Sequence, residues 1–197
     1  MHRRHLLLTA GAALLPLPAF ADPAAAQAFV TGSIQSGFAI LNDKSLPIGE
    51  RRARFADFLL NLTDVRRIAL FLLGPAASSA APTDIDAYLA AYRDYAMSIY
   101  QTYFALYSGE SLHVVSSRER AKDDSIVVTN VVGGSTPLEI DFRVRTDGDK
   151  PVLVDVAVAG VWLIIAQRDQ FRAVLAASNN DVKALTAHLK AIQTALR

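Results

Sequence analysis

Cysteine is absent from the 197 residues. The chain therefore has no disulfide framework, no thiolate nucleophile and no Cys-ligated zinc or iron–sulfur centre. Histidine is nearly as scarce. Of the 4, His2 and His5 sit at the N-terminus while His113 and His188 are far apart, so no histidine-based metal site is expected. A charge excess is missing as well: 20 Lys and Arg face 19 Asp and Glu, and loss of Arg3 and Arg4 with a leader would tip the balance slightly acidic. Bulk charge thus speaks against a nucleic-acid partner. There is no G-x-S-x-G elbow and no Walker loop, and Gly133-Gly134 falls between two strand-like segments, where a hairpin accounts for it. The apolar run Val152 to Ala166 is too short to cross a bilayer and contains Asp155 and Gly160. It reads as a buried strand, a turn and the start of a buried helix.

What is present is apolar material. At 52% hydrophobic and 20% charged residues the chain can build a core and is too apolar for disorder. Met1 to His5 carry two arginines, Leu6 to Leu17 are apolar and small, and Ala19-Phe20-Ala21 forms an A-x-A pattern before Asp22. This order predicts a signal peptide over 1–21 and a single domain over 22–197. The Arg3-Arg4 pair leaves both the general and the twin-arginine export routes open. With no cysteine to lipidate, the expected location is the periplasm, free of an anchor.

Helical spacing runs from Ala24 to Leu41, resumes from Ile48 to Leu62, and continues in a short helix capped by Thr63 or Asp64 and ended by Gly74-Pro75. Ile68 to Leu73 in that helix is apolar on every side, so it must be buried all round or line an apolar cavity. After a small-residue linker over Ala76 to Pro82, Thr83 or Asp84 opens the longest helix, whose stripe Ile85, Leu89, Tyr92, Ala96, Ile99, Tyr103, Leu106 reaches about Tyr107. All 6 tyrosines lie on it, either as amphipathic packing residues with wet hydroxyls or in part as cavity lining.

From Leu112 the period becomes two. Leu112 to Arg120, Ser125 to Val132, Leu138 to Arg145 and Pro151 to Val158 read as four strands, joined by Lys122-Asp123-Asp124, Gly133-Gly134-Ser135 and Asp147-Gly148-Asp149. Two helices follow, over Val161 to Leu175 and Val182 to Leu196. The fold class is α+β: a four-stranded antiparallel meander, one face wet and the other packed by helices, with an apolar cavity between sheet and helices. Asp155, alone among valines, is the one candidate general base. Strict alternation puts it opposite Val152, Val154, Val156 and Val158, aimed away from the core, and His113 likewise reads as a surface strand residue. Abundant apolar lining without converging polar groups suits binding better than catalysis, and no cofactor is expected.

The segment Asp155 to Leu163, then Gln167-Arg168-Asp169-Gln170-Phe171 and the helix from Leu185 to Leu196, resembles the MlaC or toluene-tolerance family of periplasmic lipid carriers. Upstream, Arg54-Phe55, Asp64, Ile68-Ala69, Leu73-Gly74, Ser98-Ile99-Tyr100 and Val127-Val128-Thr129 follow in the same order. Two departures concern the pocket: Pro75-Ala76-Ala77 stands where the family has an aromatic-rich stretch, and Trp162 where it has Ser. Gln167-Arg168 with Phe171 is also similar to a hopanoid-associated branch, so the resemblance implies a phospholipid or a polycyclic lipid as ligand. It implies a non-enzymatic carrier that exchanges lipid with an inner-membrane ABC transporter complex and an outer-membrane lipoprotein complex. An isomerase or hydrolase using Asp155 is the alternative from another class. The lining expected on this reading is Ile68, Phe71, Leu72, Ile99, Tyr103, Val128, Ile140, Phe142, Val156 and Val158. Arg168 is expected to serve as a structural hydrogen-bonding residue near the start of its helix.

Overall fold

A computed structural model describes residues 23–134, 137–147 and 150–196; the leader, its cleavage pattern, Ser135 and Gly148-Asp149 lie outside the described residues. Helices α1 (Pro23–Asn42), α2 (Ile48–Asn61), α3 (Val65–Leu73), α4 (Ala76–Ser79) and α5 (Pro82–Leu106) come first. Strands β1 (Ser111–Ala121), β2 (Asp124–Val132), β3 (Leu138–Asp147), β4 (Lys150–Val158) and β5 (Val161–Trp162) follow, and α6 (Leu163–Ala177) and α7 (Val182–Ala195) close the chain.

Local chemistry sets these boundaries. Asp64 caps α3 by accepting the Arg67 N–H at 2.9 Å, and Gly74, at a φ of 54°, ends it. The longest helix opens on Pro82 at its first position rather than on a capping Thr83 or Asp84; proline fits there because that N–H needs no helical partner. The small-residue stretch before it is not all linker, since Ala76–Ser79 makes a helical turn. Asp181 caps α7 through the Lys183 N–H at 2.9 Å.

The sheet is an antiparallel meander in the order β1-β2-β3-β4-β5. The fifth strand, not anticipated from sequence, is two residues that pair back on Ala157 and Val158 across an Ala159-Gly160 turn with both residues at positive φ. A register shift between Arg143 and Val144 of β3 opposes Phe142 to Val156 but Val144 to Leu153. That bulge breaks strict alternation in β4: Leu153, Val156 and Val158 share one face, while Val152, Asp155 and Ala157 share the other.

Helix α1 covers the first face, where Ala26 and Val30 pack with Val127, Val144 and Leu153. A second, larger cluster is wholly helical, with Ile68, Leu72 and Leu73 of α3, Tyr88, Tyr92 and Tyr95 of α5, Phe171 of α6 and Leu185 and Leu189 of α7. The far face of the sheet is not simply wet: Asp124, Ile126, Asp155 and Ala157 are buried there. Arg143 holds Asp124 through two nitrogens, at 2.6 and 3.0 Å, and Arg120 adds a third bond at 3.0 Å. Burial raises the Asp124 carboxyl pKa, but the bond and charge of Arg143, with Arg120, outweigh it and leave the pKa below the ordinary range.

Candidate functional site

Strand β4 stands between the two clusters and sends alternate side chains to each. Val156 joins the α1–sheet cluster, whereas the Asp155 carboxylate lies within electrostatic reach of Tyr92 in the helical one. Asp155 corrects the expectation of an outward, solvated residue. Only 5% exposed, its Oδ1 accepts the N–H of Val156 at 2.8 Å and of Ile164 at 2.9 Å. Since the residue preceding α6 supplies no side-chain cap, Asp155 caps that helix from the neighbouring strand. Burial raises its pKa, opposed by those two bonds and by the charge of Arg143. The carboxylate is occupied in joining β4 to α6.

One turn into α6, Gln167 accepts the Tyr92 hydroxyl at 3.1 Å and donates to the Tyr95 hydroxyl at 3.1 Å. Its amide locks α6 to α5 within the helical cluster and satisfies two phenols there. Arg168 does not take the hydrogen-bonding part expected of it. Its guanidinium lies 4.6 Å over the Phe71 ring, and its Nε is shielded without a hydrogen-bond partner.

The two clusters differ in how completely they are filled. Leu72, Tyr88, Leu185 and Leu189 in the helical cluster are 0% exposed. On the α1-covered face, Ile140, Phe142, Val156 and Val158 are only half-buried, although β3 and β4 lie inside the sheet. These apolar side chains on inner strands are thus less completely covered than those of the helical cluster. Beside them, an open surface depression of about 330 Å³ lies between α1 and β1, lined by Thr31, Ile34, Gln35, Leu112, His113 and Val114. Ile34 and Val114 also pack on the α1–sheet cluster, so the depression and the half-buried face adjoin.

Of the ten residues expected to line a cavity, the register pairs Ile140 with Val158 and Phe142 with Val156 on this face. Val128 pairs with Asp141 and so points to the other face, while its neighbours Val127 and Thr129 point to this one. Ile68, Leu72 and the partly buried Ile99 belong to the helical cluster. Phe71 and Tyr103 are 43% and 42% exposed. Helix α3 is therefore neither buried all round nor a cavity wall on every side. The α1 stripe, with Phe29, Val30 and Ile34, and Val114 of β1 pack on this face of the sheet, a placement that sequence reasoning missed. The signal was there in the apolar spacing of α1, but nothing in it says which surface the stripe meets.

Among the described residues no group of three or more His, Asp or Glu gathers into a metal site, and no helix is long and apolar enough to cross a membrane. Fold and site together define an α+β domain with a closed helical cluster and a helix-covered sheet whose inner strands keep apolar side chains partly open. The family model of the MlaC protein matches residues 32–191, and the chain belongs to the MlaC family. Among solved structures, the phospholipid-binding protein from Ralstonia solanacearum, determined in complex with a phospholipid, matches with a TM-score of 0.75 at 22% identity. The match covers 87% of this chain and 98% of that one.

Proposed function

We propose that this chain is a periplasmic lipid carrier that takes phospholipid acyl chains against the half-buried face of its sheet. The observation that carries the reading is the contrast between a closed helical core and a partly open apolar sheet face in a member of the MlaC family. The phospholipid held by the Ralstonia protein of the same fold supports it. Each buried methylene contributes about 0.8 kcal/mol, so an apolar interior can hold a chain that would scarcely leave a bilayer alone. The headgroup stays in water and needs no dedicated clamp. Engagement of Asp155 by two backbone N–H groups favours binding over catalysis, because a carboxylate so held serves a helix end.

On this reading residues 1–21 are the cleaved signal peptide, and the carrier exchanges lipid with an inner-membrane ABC transporter complex and an outer-membrane lipoprotein complex. Native mass spectrometry of the protein exported to the periplasm, followed by extraction and lipid identification, tests it. About one phospholipid per chain is expected. A hopanoid would keep the carrier and change the cargo, and a persistent apo mass after incubation with native-membrane lipids would overturn the reading.

A further inference from the structure

Three large apolar side chains stand exposed around one contact between helix ends. Leu106 closes α5 and is 76% exposed, Ile48 opens α2 and is 62% exposed, and Tyr103, one turn before Leu106, is open to solvent as well. The two helix ends meet at Phe104, whose ring packs on Phe55 at 6.2 Å and lies 5.6 and 5.9 Å from the guanidinium carbons of Arg51 and Arg52. The end of α1 joins them, since the Tyr107 hydroxyl donates to Asn42 Oδ1 at 3.2 Å. One exposed leucine is ordinary; three such side chains at one pole, rimmed by cations, mark an interaction surface.

That rim is basic although the chain as a whole is nearly neutral. Between Asn42 and Phe55, Lys44, Arg51, Arg52 and Arg54 face only Asp43 and Glu50. Glu50 is taken by Arg54 at 2.7 Å, and Asp43 by the Ser45 N–H at 3.0 Å. Glu110, beyond the end of α5, accepts the Ser108 N–H at 2.8 Å. Lys44, Arg51 and Arg52 make no ion pair with any described residue, and the Arg51 Nε is shielded without a hydrogen-bond partner. A net positive charge is left for an outside anion.

The pole also adjoins the open end of the sheet. Past Tyr107 the chain runs by Gly109 and Glu110, which back onto Gly133 of the β2–β3 turn, and enters β1. At this same end Val158, the last residue of β4, pairs with Ile140 near the start of β3, and both are half-buried. The depression between α1 and the start of β1 lies here too.

We propose that this pole docks on anionic phospholipid bilayers, with Ile48 and Leu106 entering the headgroup layer and Lys44, Arg51 and Arg52 resting on lipid phosphates. The apolar tips project from two helix ends rather than from one flat face, and a fluid interface accepts them without a matching socket, while arginine and tyrosine suit its polar border. Docked in this way, the protein turns the open end of its sheet toward the membrane, so an acyl chain enters without crossing water. The inference rests on the lipid-carrier reading and adds to it the surface that meets the membrane.

The test is flotation of the exported protein with vesicles of phosphatidylcholine alone and of phosphatidylcholine mixed equally with phosphatidylglycerol. The wild type should float with the mixed vesicles and scarcely with phosphatidylcholine, and added salt should weaken the binding. Arg52→Glu and Leu106→Ser should each lower it about fivefold or more. Both positions are exposed, and an unchanged thermal melt verifies the fold. Arg118→Glu makes the same charge change on exposed β1 toward the other end of the sheet, and should leave binding unaltered. Absence of flotation by the wild type would overturn the bilayer assignment and leave this pole to a protein partner. Binding that survives both substitutions, or falls equally with Arg118→Glu, would also overturn it. Copurified lipid is measured separately on the same protein, so its absence would count against the carrier reading and a failure to float against the docking surface alone.

Discussion

The helical cluster and the α1–sheet cluster are both apolar and are closed off from solvent to different degrees. In the first, leucines, tyrosines and Phe171 close on one another until little surface is left. In the second, α1 seals one end of the sheet at Val127 and Val144 and leaves Ile140, Phe142 and Val158 half-open. On the proposed reading stability and binding belong to separate halves of one domain, because a core optimised to native density leaves no room for a ligand. The Asp155 bridge from β4 to α6 ties the halves together, while the Gln167 amide locks α6 to α5 inside the helical one.

The comparison breaks first if truncations cost the same on both sides. Leu72→Ala, at a site 0% exposed, should lose about 2–5 kcal/mol of unfolding free energy. Phe142→Ala should lose clearly less in urea denaturation of the lipid-free protein, because its side chain is already half-open. Equal losses would mean that the sheet face is ordinary core.

A smaller effect is expected at the bridge. Asp155→Ala should cost about 0.5–2 kcal/mol at neutral pH, the worth of a helix cap, while Asp155→Asn keeps an acceptor and costs less. The pH dependence has a definite sign. Because burial raises the Asp155 pKa above 3.8, its contribution is fully present below that value and is lost as pH rises through the raised one. Asp124, lowered from 3.8, contributes above that value and loses its contribution as pH falls. Asp155→Asn should therefore gain on the wild type between acid and neutral pH, a trend that denaturation at a series of pH values would reveal or refute.

The smallest change in stability is expected where the largest residue is added. Val156→Trp should fold with a nearly unchanged melt, since the added ring enters unfilled space, and should lower lipid occupancy in native mass spectrometry. Strong destabilisation would show that the space is already packed.

Most of the fold could be read from periodicity. The α5 stripe and the alternation of Leu138, Ile140, Phe142 and Val144 each matched one period over many residues. What escaped were features set by partners far along the chain. The β4 bulge lies in a run of valines and leucine where either register keeps apolar residues inside, so composition is silent. Strand β5 is too short to show a period. The function of Asp155 depends on an N–H nine residues away, delivered only after the chain has turned through Gly160. The candidate site residues were legible only as far as face: strand parity grouped Ile140, Phe142, Val156 and Val158, but Val128 was placed one residue out of phase, and helices give no local sign of which cluster they join.

The meander has a consequence for how the chain reaches its native state. Strands β1 to β4 form one contiguous segment, each hydrogen-bonded to the next in sequence, so their pairing closes only short loops and is entropically cheap. By contrast, Gln27 of α1 accepts the Ser117 hydroxyl across 90 residues. In folding, the sheet can assemble from its own segment, and the cost of long-range closure falls on the docking of α1 across it.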